Sequence, residues 1–194
     1  MKEINVVQKN YDEVADRYDE KVQSPELNVQ YLNEVKKIFQ KYNLQRGSIL
    51  DVGCGTGLLS DFLSGDFEYT GVDVSAGMLQ YASQRGYKTI HQTIEDALPE
   101  IENQSYDFVV SLGALLFVED IQACLKHINR IARKAIVLGL DCATDELIQA
   151  IPMTMYDHSK VEVLNALEDY LILGWTYAPQ SIPVNTRMIY IELV

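Results

Sequence analysis

The stretch Ile49–Gly57, ILDVGCGTG, decides the fold of this chain. It reads as a buried strand that runs directly into a glycine-rich turn and a helix. Ile49, Leu50 and Val52 supply the apolar strand. Gly53, Gly55 and Gly57 leave out side chains where a ligand and a helix N-terminus have to approach closely. Asp51 stands at the strand end, and Asp73 closes a second short β-branched run in TGVDVS. An acid at the C-terminal edge of the second strand stands where the ribose hydroxyls of a nucleoside ligand are hydrogen-bonded.

Spacing and charge discriminate between nucleoside ligands. The dinucleotide fingerprint G-x-G-x-x-G requires a third glycine at position 58, which is Leu58. The glycines are instead evenly spaced. Asp51, two residues before the first of them, would repel a pyrophosphate and attract an ammonium or sulfonium ligand. This favours S-adenosylmethionine over NAD.

With its evenly spaced glycines and both acids, the chain resembles the class I methyltransferase family, whose first motif is (V/I/L)-(L/V)-(D/E)-x-G-x-G-x-G and whose second strand ends in an acid. The resemblance extends from NYDEVADRYDEKV through GVDVSAGMLQYA to YDFVVSLGALLFVED. Within the family, GTGLLSDFL, GVDVSAGML and SLGALLFVED are similar to small methyltransferase-like proteins, including that of the Williams–Beuren chromosomal region, and to quinone-ring, amino-sugar and malonyl-carrier methylating types. The resemblance implies an α/β Rossmann-like, doubly wound seven-stranded sheet with an antiparallel closing hairpin and an N-terminal helical lid.

Composition sets limits on this expectation. A chain of 194 residues at 47% hydrophobic suits one domain, with residues 1–46 as the lid and 47–194 as the sheet core. A formal net charge of −12 disfavours a nucleic-acid partner. Cys54, Cys124 and Cys142 form no C-x-x-C or His/Cys cluster, which points to a reducing compartment and no metal. MKEINVVQKN lacks the apolar core of a signal peptide, and no apolar run approaches eighteen residues. The expected location is the cytoplasm, without a membrane partner; the oligomeric state is left open.

Apolar periodicity predicts helices over Val6–Val22 and Leu27–Tyr42, broken near Ser24 and Pro25. Strands are expected at Ser48–Val52, Tyr69–Asp73, Lys88–Gln92, Phe108–Leu112 and Ala135–Leu140. They alternate with helices at Gly57–Leu63, Ala76–Gln84 and Ile121–Ala132, a pattern that implies a parallel sheet with ligands outside its carboxyl edge. After Asp141, helices are expected at Asp145–Ala150 and Lys160–Asp169. The strands Tyr170–Tyr177 and Met188–Val194 would then close the sheet as a hairpin.

The strand ends nominate the cofactor pocket. Asp51 and the backbone of Gly53, Cys54 and Gly55 would face the methionine end, Asp73 the ribose, and Val74, Ser75 and Met78 the following helix. The resemblance implies that Met78 packs on the adenine; a core methionine is the alternative. The acid that the family often sets against the adenine amino group falls here on Ile94, so backbone near Ile94 or the side chain of Glu95 would read that edge. Backbone at Ser111, Leu112 and Gly113 would line the junction with the substrate. Asp107, at the start of its strand, belongs at the sheet's other edge.

Tyr11 and Tyr18 are seven apart, on one helical face, and each precedes an Asp. Either they pack on the sheet or, as the resemblance implies for YD-x-x-A-x-x-YD, they cover the cofactor with Tyr18 at its methionine end. Transfer from a sulfonium is an in-line displacement that needs alignment and a dry cavity, and a base only if the nucleophile must lose a proton. His127 and His91 suit structural positions. His158, in PMTMYDHSK beside Tyr156 and Asp157, is the candidate base, with a helix-capping region as the alternative reading. Tyr18 and His158 are therefore the candidate catalytic residues. No (N/D)-P-P-(Y/F) string follows the fourth strand and no proline-cysteine motif is present, which leaves a small-molecule O, N or C acceptor. A non-catalytic S-adenosylmethionine-binding partner subunit is the alternative function.

Overall fold

A computed structural model describes residues 4–23, 29–143, 153–156, 172–177 and 184–193. Five parallel strands form its centre: β1 (Arg46–Val52), β2 (Asp66–Asp73), β3 (Lys88–His91), β4 (Tyr106–Leu112) and β5 (Ala132–Ala143). They lie in the order β3-β2-β1-β4-β5. The chain winds from β1 toward β3 on one side and then crosses back to β4 and β5 on the other. The reversal between β1 and β4 opens a crevice at the carboxyl ends of the strands, the usual ligand position in such sheets. Beyond β5, β7 (Val184–Glu192) pairs antiparallel with β5, and β6 (Ile172–Tyr177) antiparallel with β7.

Alternation along the strands divides the core. Ile49, Phe108, Val110, Ala135 and Val137 pack on one face of the sheet, and Leu50, Val52, Val109, Ile136 and Leu138 on the other. Because both faces are covered, the strands read as nearly continuous apolar runs. The first face receives Leu32, Val35, Ile38 and Phe39 of α3 (Val29–Lys41). The second receives α7 (Ile121–Ile131), whose Ile121, Cys124, Leu125 and Ile128 recur at helical spacing. Asp120 starts α7 by accepting the Ala123 amide at 2.9 Å.

Several elements depart from expectation. The first predicted helix is divided into α1 (Ile4–Val14), a 3₁₀ turn (Ala15–Arg17) and α2 (Tyr18–Gln23). The turn buries Ala15 against Gly77, where an added Cβ would lie 3.3 Å from the alanine methyl. The second predicted helix is not lid: α3 forms a core layer, because its apolar stripe meets Ile49 and Phe108. The helix after the glycine turn is a single turn, α4 (Leu59–Phe62), rather than Gly57–Leu63. α5 (Ala76–Gln84) has the expected bounds. α6 (Ile94–Glu100) replaces an expected loop; Thr93 Oγ1 caps it from the Asp96 amide at 3.0 Å. Pro99 and the brevity of the element conceal it from periodicity. The predicted helices Asp145–Ala150 and Lys160–Asp169 lie outside the described residues.

Candidate functional site

A cavity of about 260 Å³ lies over the carboxyl ends of β1, β2 and β4. A water molecule takes up roughly 30 Å³ in the liquid, so this space suits an organic ligand. Its floor is the glycine turn. Gly55 has φ +53°, and the nearest atom to an added Cβ would be Tyr18 Cε1 at 3.8 Å, so its backbone lies bare to the cavity. Gly53, at φ +74°, serves packing instead, since an added Cβ there would collide with Ala114.

Asp73 lines the cavity from the end of β2. Its Oδ2 accepts the Gly55 N–H at 2.8 Å and its Oδ1 the Ser75 N–H at 2.9 Å. Each oxygen retains acceptor capacity, the requirement for binding two vicinal hydroxyls. Burial raises its pKa above the usual carboxylate value; the Ser75, Gly55 and Val74 amides pull the other way. Ser75 Oγ accepts the Met78 N–H at 3.0 Å and starts α5.

Tyr18, Gly53, Gly55, Asp73, Val74, Met78, Ile94, Glu95 and Leu112 all line this cavity. Met78 is also core, at 1% exposure. Three expected residues are placed differently. Asp51 is 3% exposed and lies behind the turn, where the Tyr87 hydroxyl donates to its Oδ2 at 3.0 Å. Burial pushes its pKa up to about 7, with the Tyr87 bond lowering it and Asp73 raising it. It is a buried acid under the floor rather than a carboxylate facing a ligand. Cys54 turns its thiol inward onto Gly71, and Ser111 Oγ donates to the Val52 carbonyl at 2.8 Å, tying β4 to β1. Neither lines the cavity. His158 lies outside the described residues.

The N-terminal helices roof the cavity. Tyr11 meets both Tyr18 and Phe117 edge-on, with ring centroids 6.2 and 6.1 Å apart. Tyr11, Tyr18 and Phe117 all line the space beneath. Tyr156, whose amide donates to the Leu116 carbonyl at 2.8 Å, brings a further ring from beyond β5.

Residues 50–138 match the family model described as methyltransferase domain. The chain carries a methyltransferase domain. It is 29% identical over 148 residues to a ubiquinone biosynthesis O-methyltransferase of Rickettsia felis, covering 65% of this chain and 59% of that one. It is 35% identical over 120 residues to a malonyl-[acyl-carrier protein] O-methyltransferase of Acetivibrio thermocellus, covering 58% and 38% respectively. The chain thus spans about three fifths of the ubiquinone-pathway relative's length. The crystal structure of magnesium protoporphyrin IX methyltransferase from Synechocystis PCC 6803 with bound SAH superposes with a TM-score of 0.74. It covers 99% of this chain and 100% of that chain at 18% identity, a likeness of fold.

Sequence reading missed several parts of the methyltransferase domain's cavity. Thr93 enters through the unexpected α6, and Ala114 and Phe117 through a 3₁₀ turn (Leu115–Phe117) after β4. The T-x-x-D pattern of Thr93 and Asp96 was the available signal for α6. No local signal marks the 3₁₀ turn. Among the described residues no group of three or more His, Cys, Asp or Glu could hold a metal ion, and no helix is long and apolar enough to cross a membrane.

Proposed function

We propose that this chain transfers a methyl group from S-adenosylmethionine to an O, N or C nucleophile of a small molecule. The observation that carries the reading is Asp73, held by two backbone amides at the cavity edge beside the bare backbone of Gly55. These residues fit a nucleoside joined to an amino-acid chain: two carboxylate oxygens for ribose hydroxyls, then a turn with no side chain in the way. When bound, the cofactor supplies an activated methyl group on sulfur. Tyr18, over Gly55, would exclude water at the methionine end; Met78 and Ile94 would flank the base, with Glu95 at the adenine edge and Leu112 at the acceptor junction.

A small-molecule acceptor is supported by the relatives named for ubiquinone biosynthesis and for malonyl-carrier methylation. The net charge of −12 argues against a nucleic acid, and the free thiols of Cys54 and Cys124 agree with a cytoplasmic location. Pairing of β5 with β7 and of β7 with β6 supports a seven-stranded sheet with an antiparallel closing hairpin, within one domain. His158 is the proposed proton acceptor on the strength of its sequence position.

Calorimetry with S-adenosylhomocysteine and with NAD tests the reading. Saturable binding of the former alone is expected, followed by label transfer from S-adenosylmethionine in a panel of phenols, amines and activated carbons. Binding of NAD without response to S-adenosylhomocysteine would overturn it. His158→Ala should then reduce turnover about 10²–10⁴-fold with cofactor affinity retained; full activity across pH 6–9 would remove the base.

A further inference from the structure

Each of the two roof tyrosines is followed by an aspartate that turns away from the cavity and grips a different loop beneath it. Asp19 Oδ1 accepts the Thr56 hydroxyl at 2.5 Å, and its Oδ2 accepts Arg85 Nη2 at 2.6 Å. Thr56 stands between Gly55 and Gly57 and is 1% exposed. Arg85 closes the arrangement: its Nη1 donates to the Thr56 carbonyl at 3.0 Å and its Nε to Asp61 Oδ2 at 3.0 Å. The glycine turn is therefore held at a side chain and at its backbone by groups that converge on Asp19. Seven residues earlier, Asp12 Oδ1 accepts the Ser75 hydroxyl at 2.6 Å and the Gly77 amide at 2.8 Å. Ser75 in turn donates its amide to Asp73 Oδ1.

We propose that Asp12 and Asp19 are positioning residues that make closure of α1 and α2 and ordering of the cofactor loops a single event, with Arg85 joining Asp19 to the glycine turn and Asp73 joining the Asp12 loop to it. The inference rests on the proposed function and names two residues that act on the cofactor through the loops rather than by touching it. Geometry separates the Asp19–Arg85 pair from an ordinary surface ion pair. The Asp19 and Arg85 side chains are only 26% and 21% exposed, and each makes further hydrogen bonds to the same turn. Among the described residues of α1–α2, Ala15 is buried, Tyr18 packs against the core and Tyr11 meets Phe117 edge-on, so the segment has apolar contacts beside its polar ones. The aspartates add bonds to specific groups of the two cofactor loops, which apolar packing does not select. Coupling of this kind is reciprocal: whatever the roof adds to cofactor affinity, the cofactor adds to roof stability.

The test compares wild type, Asp19→Ala, Asp12→Ala, Arg85→Ala and the control Asp16→Ala, whose side chain is exposed on the intervening turn. S-adenosylhomocysteine affinity is measured together with amide hydrogen exchange, with and without that ligand. If removing Asp19 drops the closed population to a tenth, affinity falls about tenfold. Exchange should accelerate in α1–α2 and in Gly53–Gly57 together, with β4 and β5 unchanged. The ligand should protect α1–α2 in the wild type and less in the variants; Asp16→Ala should match wild type. Asp19→Glu should recover part of the affinity lost in Asp19→Ala.

Unchanged affinity in all three variants, or a lowered melting temperature without faster exchange of the glycine turn, would overturn the proposal. If wild type fails to bind S-adenosylhomocysteine, the proposed function falls. The exchange of the ligand-free proteins then still decides whether roof and turn move as one unit.

Discussion

Asp73 and Asp107 stand at opposite ends of the same sheet, and their surroundings differ in kind. Asp107, near the start of β4, accepts the Ser48 amide at 3.1 Å and faces Lys134 Nζ at 3.1 Å and Arg133 Nε at 3.3 Å. Burial alone would raise its pKa, yet the Ser48 amide, Lys134 and Arg133 hold it below the usual carboxylate value. Asp73 accepts from the backbone amides of Gly55 and Ser75, and there burial prevails. An acid matched by cations is complete within the fold. An acid on a cavity wall with amides alone keeps acceptor capacity for a ligand. Asp51 is a third case: as deeply buried as a core residue, bonded to Tyr87, and shut off from the cavity.

The largest effect expected from this contrast belongs to Asp51. Its folded pKa of about 7 lies above the ordinary aspartate value of 3.8. Between these values the unfolded chain releases the proton while the folded one keeps it, so the contribution of Asp51 to stability declines as pH rises from about 4 to 7. The slope approaches about 1.4 kcal/mol per pH unit. Urea unfolding of wild type and Asp51→Asn across this range isolates it, because asparagine has no proton to lose. A constant difference between the two proteins would mean that Asp51 is ionised throughout.

Next comes Asp73→Ala, which should weaken S-adenosylhomocysteine binding by about 1.5–3 kcal/mol, at least tenfold, with little change in unfolding. Equal affinity by calorimetry would remove Asp73 from the site and the contrast with Asp107 along with it. Gly55→Ala separates turn geometry from ligand approach: the positive φ costs about 1–2 kcal/mol of stability, and cofactor affinity should fall further than stability explains. The smallest effect is expected at Asp107→Asn, a loss of about 1 kcal/mol or less at neutral pH, because Arg133 and Lys134 are 44% and 58% exposed. Its folded pKa lies below the unfolded one. The wild-type advantage should therefore persist above about pH 4 and vanish as pH falls through the folded pKa, with cofactor affinity unaltered throughout.

By itself the sequence determined the parts whose cause is local. Alternation in Ile49–Val52, the glycine spacing, Asp73 at a strand end and the bounds of α5 are set by residues within one turn or one strand, so strand, turn and the acid at the strand end were legible without any partner. Tertiary structure alone decided where each polar group finds its match. Asp51 and Asp73 are sequence-equivalent acids at strand ends, but only packing sends one under the floor to Tyr87 and the other to the cavity wall. The same holds for α3, whose amphipathic pattern suits a roof or a core layer equally until Phe39 meets Phe108. Asp12 and Asp19 each follow a roof tyrosine, and nothing in their local sequence names a partner. Their partners Ser75, Gly77 and Arg85 lie more than sixty residues away. Burial and hydrogen bonding depend on which surfaces come together in space, and no periodicity within a helix or strand encodes that.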